Sequence, residues 1–269
     1  MNIYVLQTGS TLISSAVPDR SSHRWKNAYT DLFQKRSARL CVPVKAFLVQ
    51  VNGRNVLIDT GWSAECANNA KKHLGFGLWF ASEPVMKAEE AVPVQLAKLG
   101  LRPEDIDAVI LTHLDCDHVS GLSGVKNAKH IYCSAEEWAH AQRHDVRYKP
   151  SFWKGVNIET FDMTDDETAP FGRSCDVFGD GSVKAVLTPG HSEGSEAVIV
   201  RGDTGYAAFV GDDSYNRASW EQQKLPGPLY NAENMKKTLR WVKSLSEDAD
   251  CIGIYAAHDQ EGPQGGKNL

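Results

Sequence analysis

Residues 106–112, IDAVILT, make a nearly continuous apolar run. A strand of that composition buries both of its faces, so the chain must place layers above and below it instead of leaving one side to water. The surrounding segments can supply those layers. Residues 44–59 (VKAFLVQVNGRNVLID) alternate apolar and polar positions on both sides of Asn52-Gly53, the dipeptide of a tight antiparallel hairpin. The patterning predicts a short helix over 92–101, a strand at 130–133, a helix over 135–143, and strands at 183–188, 197–201 and 206–210. Residues 232–246 place Met235, Leu239, Val242 and Leu245 at helical spacing, and an apolar strand at 251–257 follows. Strands mixed with helices in this order imply an α/β fold with sheets packed in the centre and helices on both outer faces.

No internal repeat or low-complexity linker divides the chain, so a single domain over residues 1–269 is expected. The net charge of −5 offers no basic excess for a nucleic-acid partner. The amino terminus, MNIYVLQT, has neither a positive leader nor a long apolar run, and no segment reaches membrane-spanning length. A cytoplasmic protein with no membrane partner is therefore expected. The six cysteines are scattered without a CxxC pair, which points to reduced thiols.

The chemistry-bearing residues gather where apolar runs end. His113-Leu-Asp115-Cys-Asp117-His118 directly follows the buried run, putting four metal-capable side chains into six positions. Imidazole with carboxylate suits zinc, iron, manganese or cobalt better than calcium or magnesium. Three more apolar runs end the same way, at Thr188-Pro-Gly-His191, Val210-Gly-Asp212 and Ala256-Ala-His258. Taken singly, His191 or His258 is more often a satisfied structural histidine, and Asp212 a turn residue. Their shared position at strand ends makes a common site the better reading.

This set resembles the metallo-β-lactamase superfamily, whose HxHxDH motif is followed by a His, a bridging Asp and a final His. The resemblance begins at Asp59-Thr60-Gly61 and runs to His258. It implies a four-layer αβ/βα sandwich holding two divalent ions, zinc by default. His113, Asp115 and His191 would hold one ion, Asp117, His118 and His258 the other, and Asp212 would bridge them. The second motif position departs from the family, with Asp115 in place of His. An added carboxylate tilts preference toward iron or manganese, the iron precedent being the flavodiiron branch. With Asp115 turned away, a single metal would remain.

Gly211-Asp-Asp-Ser-Tyr215 and Ala257-His-Asp-Gln-Glu261 resemble the N-acyl-homoserine lactonase branch, where a Tyr three residues past the bridging Asp assists the reaction. That resemblance implies lactone opening by a metal-bridging hydroxide, with Tyr215 and Asp117 as catalytic residues. The other readings are a glyoxalase II-like thioesterase, a β-lactamase-like enzyme, a di-iron oxidoreductase, and a non-catalytic metal-binding relative. The partner expected is a small molecule with an apolar acyl portion. Residues 75–80 (GFGLWF) and 151–154 (SFWK) read as loops whose aromatic side chains either wall its pocket or serve as core or homodimer contacts. Cys116, between two ligands, is expected to pack and not to bind metal.

Overall fold

The computed structural model describes residues 1–22, 35–143, 146–262 and 266–268. Two sheets form its centre, one of eight strands and one of six. From edge to edge the larger sheet runs Gly266–Asn268, Asn2–Ile13, Leu40–Val51, Arg54–Ile58, Ala108–Ile110, Ile131–Cys133 and Glu159–Thr160, and Glu83–Val85 pairs with Asn2–Ile13. Its first strands are antiparallel and its last three pairings parallel. The smaller sheet runs Cys251–Ala256, Gly205–Gly211, Glu196–Gly202, Val183–Leu187, Arg173–Asp176 and Thr164–Asp165. Only the pairing of Gly205–Gly211 with Cys251–Ala256 is parallel there.

Alternation along the strands sorts side chains into layers. On Leu40–Val51, Phe47, Val49 and Val51 face the second sheet and pack with Val198, Val200, Ala207, Phe209 and Tyr255. Val44, Ala46 and Leu48 on the opposite face pack with Leu74, Val92, Leu96 and Leu122, beneath the helices of that side. The outer face of the second sheet, Ala197, Ala208 and Val210, is covered by Met235, Leu239 and Val242 from the helix Ala232–Glu247. The result is the expected sandwich of helix, sheet, sheet and helix. No helix among the described residues is long and apolar enough to cross a membrane.

The Asn-Gly hairpin is present. Val51 pairs with Arg54, and Asn52 and Gly53 take φ of +49° and +75°, the left-handed pair that a two-residue turn needs. The helices Val92–Lys98, Ala135–Ala141 and Ala232–Glu247 lie where helical spacing places them. Ser134 and Asn231 cap the last two, accepting from Glu137 N and from Glu233 N and Asn234 N. Two differences stand out. The long first strand, Asn2–Ile13, has no counterpart in the sequence reading. The run 106–112 yields only Ala108–Ile110, because the Thr112 N–H leaves the ladder for the Asp59 carboxylate at 2.8 Å.

Phe209 lies at the middle of the inter-sheet layer, its ring centroid 5.2 Å from that of Phe47 and 4.9 Å from that of Tyr255. Phe209→Ala should cost about 3–5 kcal/mol of unfolding free energy, as buried aromatic truncations do. Equilibrium urea denaturation measures this. A loss below about 1 kcal/mol would mean that this layer is not close-packed.

Candidate metal centre

Every candidate ligand sits just past the end of a strand. His113 follows Ala108–Ile110, and Asp115 precedes the single helical turn Cys116–Val119, which carries Asp117 and His118. His191 lies in the loop after Val183–Leu187, Asp212 directly after Gly205–Gly211, and His258 after Cys251–Ala256. The two sheets meet closely at this point. Gly211 has φ of +47°, and a Cβ there would lie 2.5 Å from Thr112 Oγ1, so only glycine lets the strand carrying Asp212 approach the His113 turn.

These turns bring all seven predicted ligands together in two groups. In His113, Asp115, His191 and Asp212 the ligand atoms lie within 4.8 Å of one another, as they do in Asp117, His118 and His258. Asp212 faces both groups. Its Oδ1 is 3.1 Å from His118 Nε2 and 3.1 Å from His258 Nε2, while its Oδ2 is 3.6 Å from His191 Nε2.

The donor set fits divalent ions by its hydrogen bonding. Each imidazole commits Nδ1 to an oxygen: His118 to Asp59 Oδ2 at 2.8 Å, His113 to Thr112 Oγ1 at 3.0 Å, His258 to the Pro43 carbonyl at 2.8 Å, and His191 to the Pro228 carbonyl at 3.2 Å. That arrangement fixes the tautomer and turns each Nε2 lone pair toward the centre. His113 Nε2, His118 Nε2 and Asp212 Oδ1 are buried there without any hydrogen-bond partner among the described residues. Buried polar atoms are rarely left so, and a divalent cation fits the place of the missing partner.

Charge in the cluster is compensated within it. Burial opposes ionisation of Asp212, yet the His258 and His118 imidazoles hold its carboxyl well below the ordinary range. Burial pushes the Tyr215 hydroxyl well up, helped by Asp212, so this phenol keeps its proton. Its ring stacks on His258 at 5.2 Å and meets His191 edge-on at 6.1 Å.

Several residues that shape the site lie outside the clusters of candidate ligands. Asp59, with a left-handed φ of +58°, accepts from Thr112 N, Thr112 Oγ1 and His118 Nδ1. Glu137 accepts from Leu114 N at 2.9 Å and Tyr148 Oη at 3.0 Å, tying the ligand turn to the segment behind it. Lys45 Nζ donates to the Asp259 carbonyl at 2.5 Å and anchors the His258 turn. Arg147 pairs with both oxygens of Asp115 and donates to the His191 carbonyl at 2.9 Å. Of these, only Asp59 had a sequence signal, within LIDTG.

A cavity of about 390 Å³ opens onto the cluster. Ile13, Val17, Leu78, Ala81, Val146 and Pro228 give it an apolar lining, and Asp117, Arg147, Asp212, Tyr215 and His258 a polar one. The aromatic segments do not line it as loops. Phe76–Ala81 is a helix that offers Gly77, Leu78 and Ala81 to the cavity, while Phe76, Trp79 and Phe80 face a separate surface depression. Phe152 and Trp153 pack into the core. Cys116 is buried, borders the cavity and packs with the same core, as expected.

A family model described as the metallo-beta-lactamase superfamily matches residues 39–250. The chain belongs to the metallo-β-lactamase superfamily. The N-acyl homoserine lactonase AttM of Azorhizobium caulinodans is 26% identical over 272 residues, covering 97% of this chain and 94% of the relative. An N-acyl homoserine lactonase of Bacillus cereus is 25% identical over 229 residues, covering 85% of this chain and 86% of the relative. Among solved structures, an N-acyl homoserine lactone hydrolase with the product N-hexanoyl-L-homoserine at its catalytic metal centre superposes with a TM-score of 0.78. It is 21% identical and covers 97% of this chain and 94% of its own, a likeness of fold.

Asp59→Asn tests the support beneath the ligands. Either orientation of the amide turns an N–H₂ toward a donor, at Thr112 or at His118, so one ligand loses its orientation. Zinc affinity, measured by competition with a chromophoric chelator, should fall roughly 10- to 100-fold. Unchanged affinity would show that His118 does not depend on Asp59.

Proposed function

We propose that this chain is a metal-dependent hydrolase that opens the ring of an N-acyl-homoserine lactone or a similar ester. The observation that carries the reading is the aliphatic cavity opening directly onto the imidazole and carboxylate cluster. An apolar wall suits an acyl chain, and the cluster suits the polar ring at its end. The lactonase relatives, and the homoserine product in the related structure, support the same substrate class.

His113, Asp115, Asp117, His118, His191, Asp212 and His258 are the proposed ligands of two divalent ions, with zinc as the default and iron or manganese favoured by Asp115. Such ions supply an acidified water and polarise the substrate carbonyl. The chain's own residues do the rest. Tyr215, holding its proton beside Asp212, donates a hydrogen bond to the oxyanion that develops on the carbonyl oxygen. Asp117, whose Oδ2 lies 3.5 Å from His258 Nε2, takes the proton left on the attacking water's oxygen and passes it to the alkoxide released when the ring C–O bond breaks. The aliphatic wall excludes water from the acyl side and positions the ring.

The metal-loaded protein should hydrolyse acyl lactones in a panel that also contains thioesters and β-lactams. Turnover confined to thioesters or β-lactams would move the assignment to another branch, and inactivity on every compound would refute a hydrolase. Tyr215→Phe should lower kcat on the order of a hundredfold at unchanged metal content. An unaltered kcat would remove Tyr215 from the reaction.

A further inference from the structure

The two halves of the cluster are not equivalent. Around Asp117, His118 and His258, the His118 Nε2 lone pair and the shared Asp212 Oδ1 have no hydrogen-bond partner among the described residues. Around His113, Asp115 and His191, most of the coordinating positions already face a cation. Arg147 Nη2 lies 2.7 Å from Asp115 Oδ2 and 2.6 Å from His191 Nε2, and Arg147 Nε donates to Asp115 Oδ1. His191 commits Nδ1 to the Pro228 carbonyl, so Nε2 is its acceptor lone pair, the one a metal would use. Of that half, only His113 Nε2 is left unpartnered.

The guanidinium is held in place by more than one contact. It donates to the His191 carbonyl at 2.9 Å and lies against the Tyr148 ring, 5.8 Å from its centroid. Tyr148 is fixed in turn by Glu137, which also holds Leu114 in the ligand turn. A carboxylate and a guanidinium pair through two parallel hydrogen bonds, a geometry that imidazole cannot offer. The Asp at the second motif position is therefore matched to this arginine.

We propose that Arg147 is a resident cation of the cluster. It occupies the metal-binding positions of Asp115 and His191, so that divalent ions enter in sequence. The first ion binds at Asp117, His118, His258 and Asp212. The second binds at His113, Asp115 and His191 only after the guanidinium is displaced, because the ion and Arg147 need the same lone pairs. The inference rests on the metallohydrolase reading above and gives the two ions different affinities.

The test is calorimetric titration of the metal-free, full-length chain with zinc, with bound ions counted by elemental analysis. The wild type should bind one ion tightly and a second at least about tenfold more weakly, the scale on which groups neighbouring a site alter metal affinity. Arg147→Gln should bring the two affinities to within about threefold, and Arg147→Lys, which keeps the charge but loses the fork, should narrow the gap. Arg143→Ala, which removes a surface pair with Glu193, should leave the gap unchanged. Metal-free Arg147→Gln should also melt below the wild type while binding its second ion more tightly. A merely structural role would weaken both. Wild type that binds two ions with equal affinity, or an unchanged gap in both Arg147 variants, overturns the proposal alone. Failure of every form to bind zinc overturns the metallohydrolase reading with it.

Discussion

The structure depends on collecting four imidazoles and the carboxylates of Asp59, Asp115, Asp117 and Asp212 in one largely buried place. Burying charge at that density is unfavourable unless each group is paired or holds a cation. The fold meets this demand from the backbone outward. Four strand ends converge, Gly211 allows the sheets to touch, and Asp59 binds the Thr112 amide and the His118 ring together. Asp212 then directs one oxygen to each half of the cluster. Removing any of these leaves several buried polar groups without partners, which explains why the site and the sheet junction are one feature of the fold.

The clustered imidazoles and carboxylates were legible in the sequence because each is local to a strand end. HLDCDH places four of them within one turn, and apolar runs ending in His191, Asp212 and His258 mark the rest. The Asn52-Gly53 hairpin and the helix Ala232–Glu247 were legible for the same reason, since turn chemistry and periodicity are short-range signals. What escaped was set by tertiary placement. The N-terminal strand Asn2–Ile13 owes its identity to pairing with Leu40–Val51, and its bulge near Gly9 interrupts any simple alternation. The helix at Phe76–Ala81 hides among aromatic residues that read as a loop. Lys45, Glu137 and Arg147 act through side chains that reach the site from elements carrying no motif.

Asp115 and Arg147 illustrate that limit most clearly. In the sequence the aspartate is a departure from a His-rich motif, and the arginine, 32 residues further on, is one cation among many. Together they form a two-point ion pair beside His191. The departure thus has a physical meaning that neither residue carries alone: exchanging an imidazole for a carboxylate creates an anion, and the fold provides its counter-ion. The same exchange changes the character of one half of the cluster while the half built from Asp117, His118 and His258 keeps its open lone pairs.

The central claim is that this cluster binds divalent metal and that the metal is what makes the adjoining cavity reactive. Elemental analysis of the purified, unchelated protein tests it most directly, with lactone turnover followed on the same sample before chelation, after it, and after metal is restored. The account predicts divalent ions bound to the chain, turnover that disappears with the metal, and recovery on its return. A protein that carries no metal, or whose turnover is indifferent to the chelator, would contradict it.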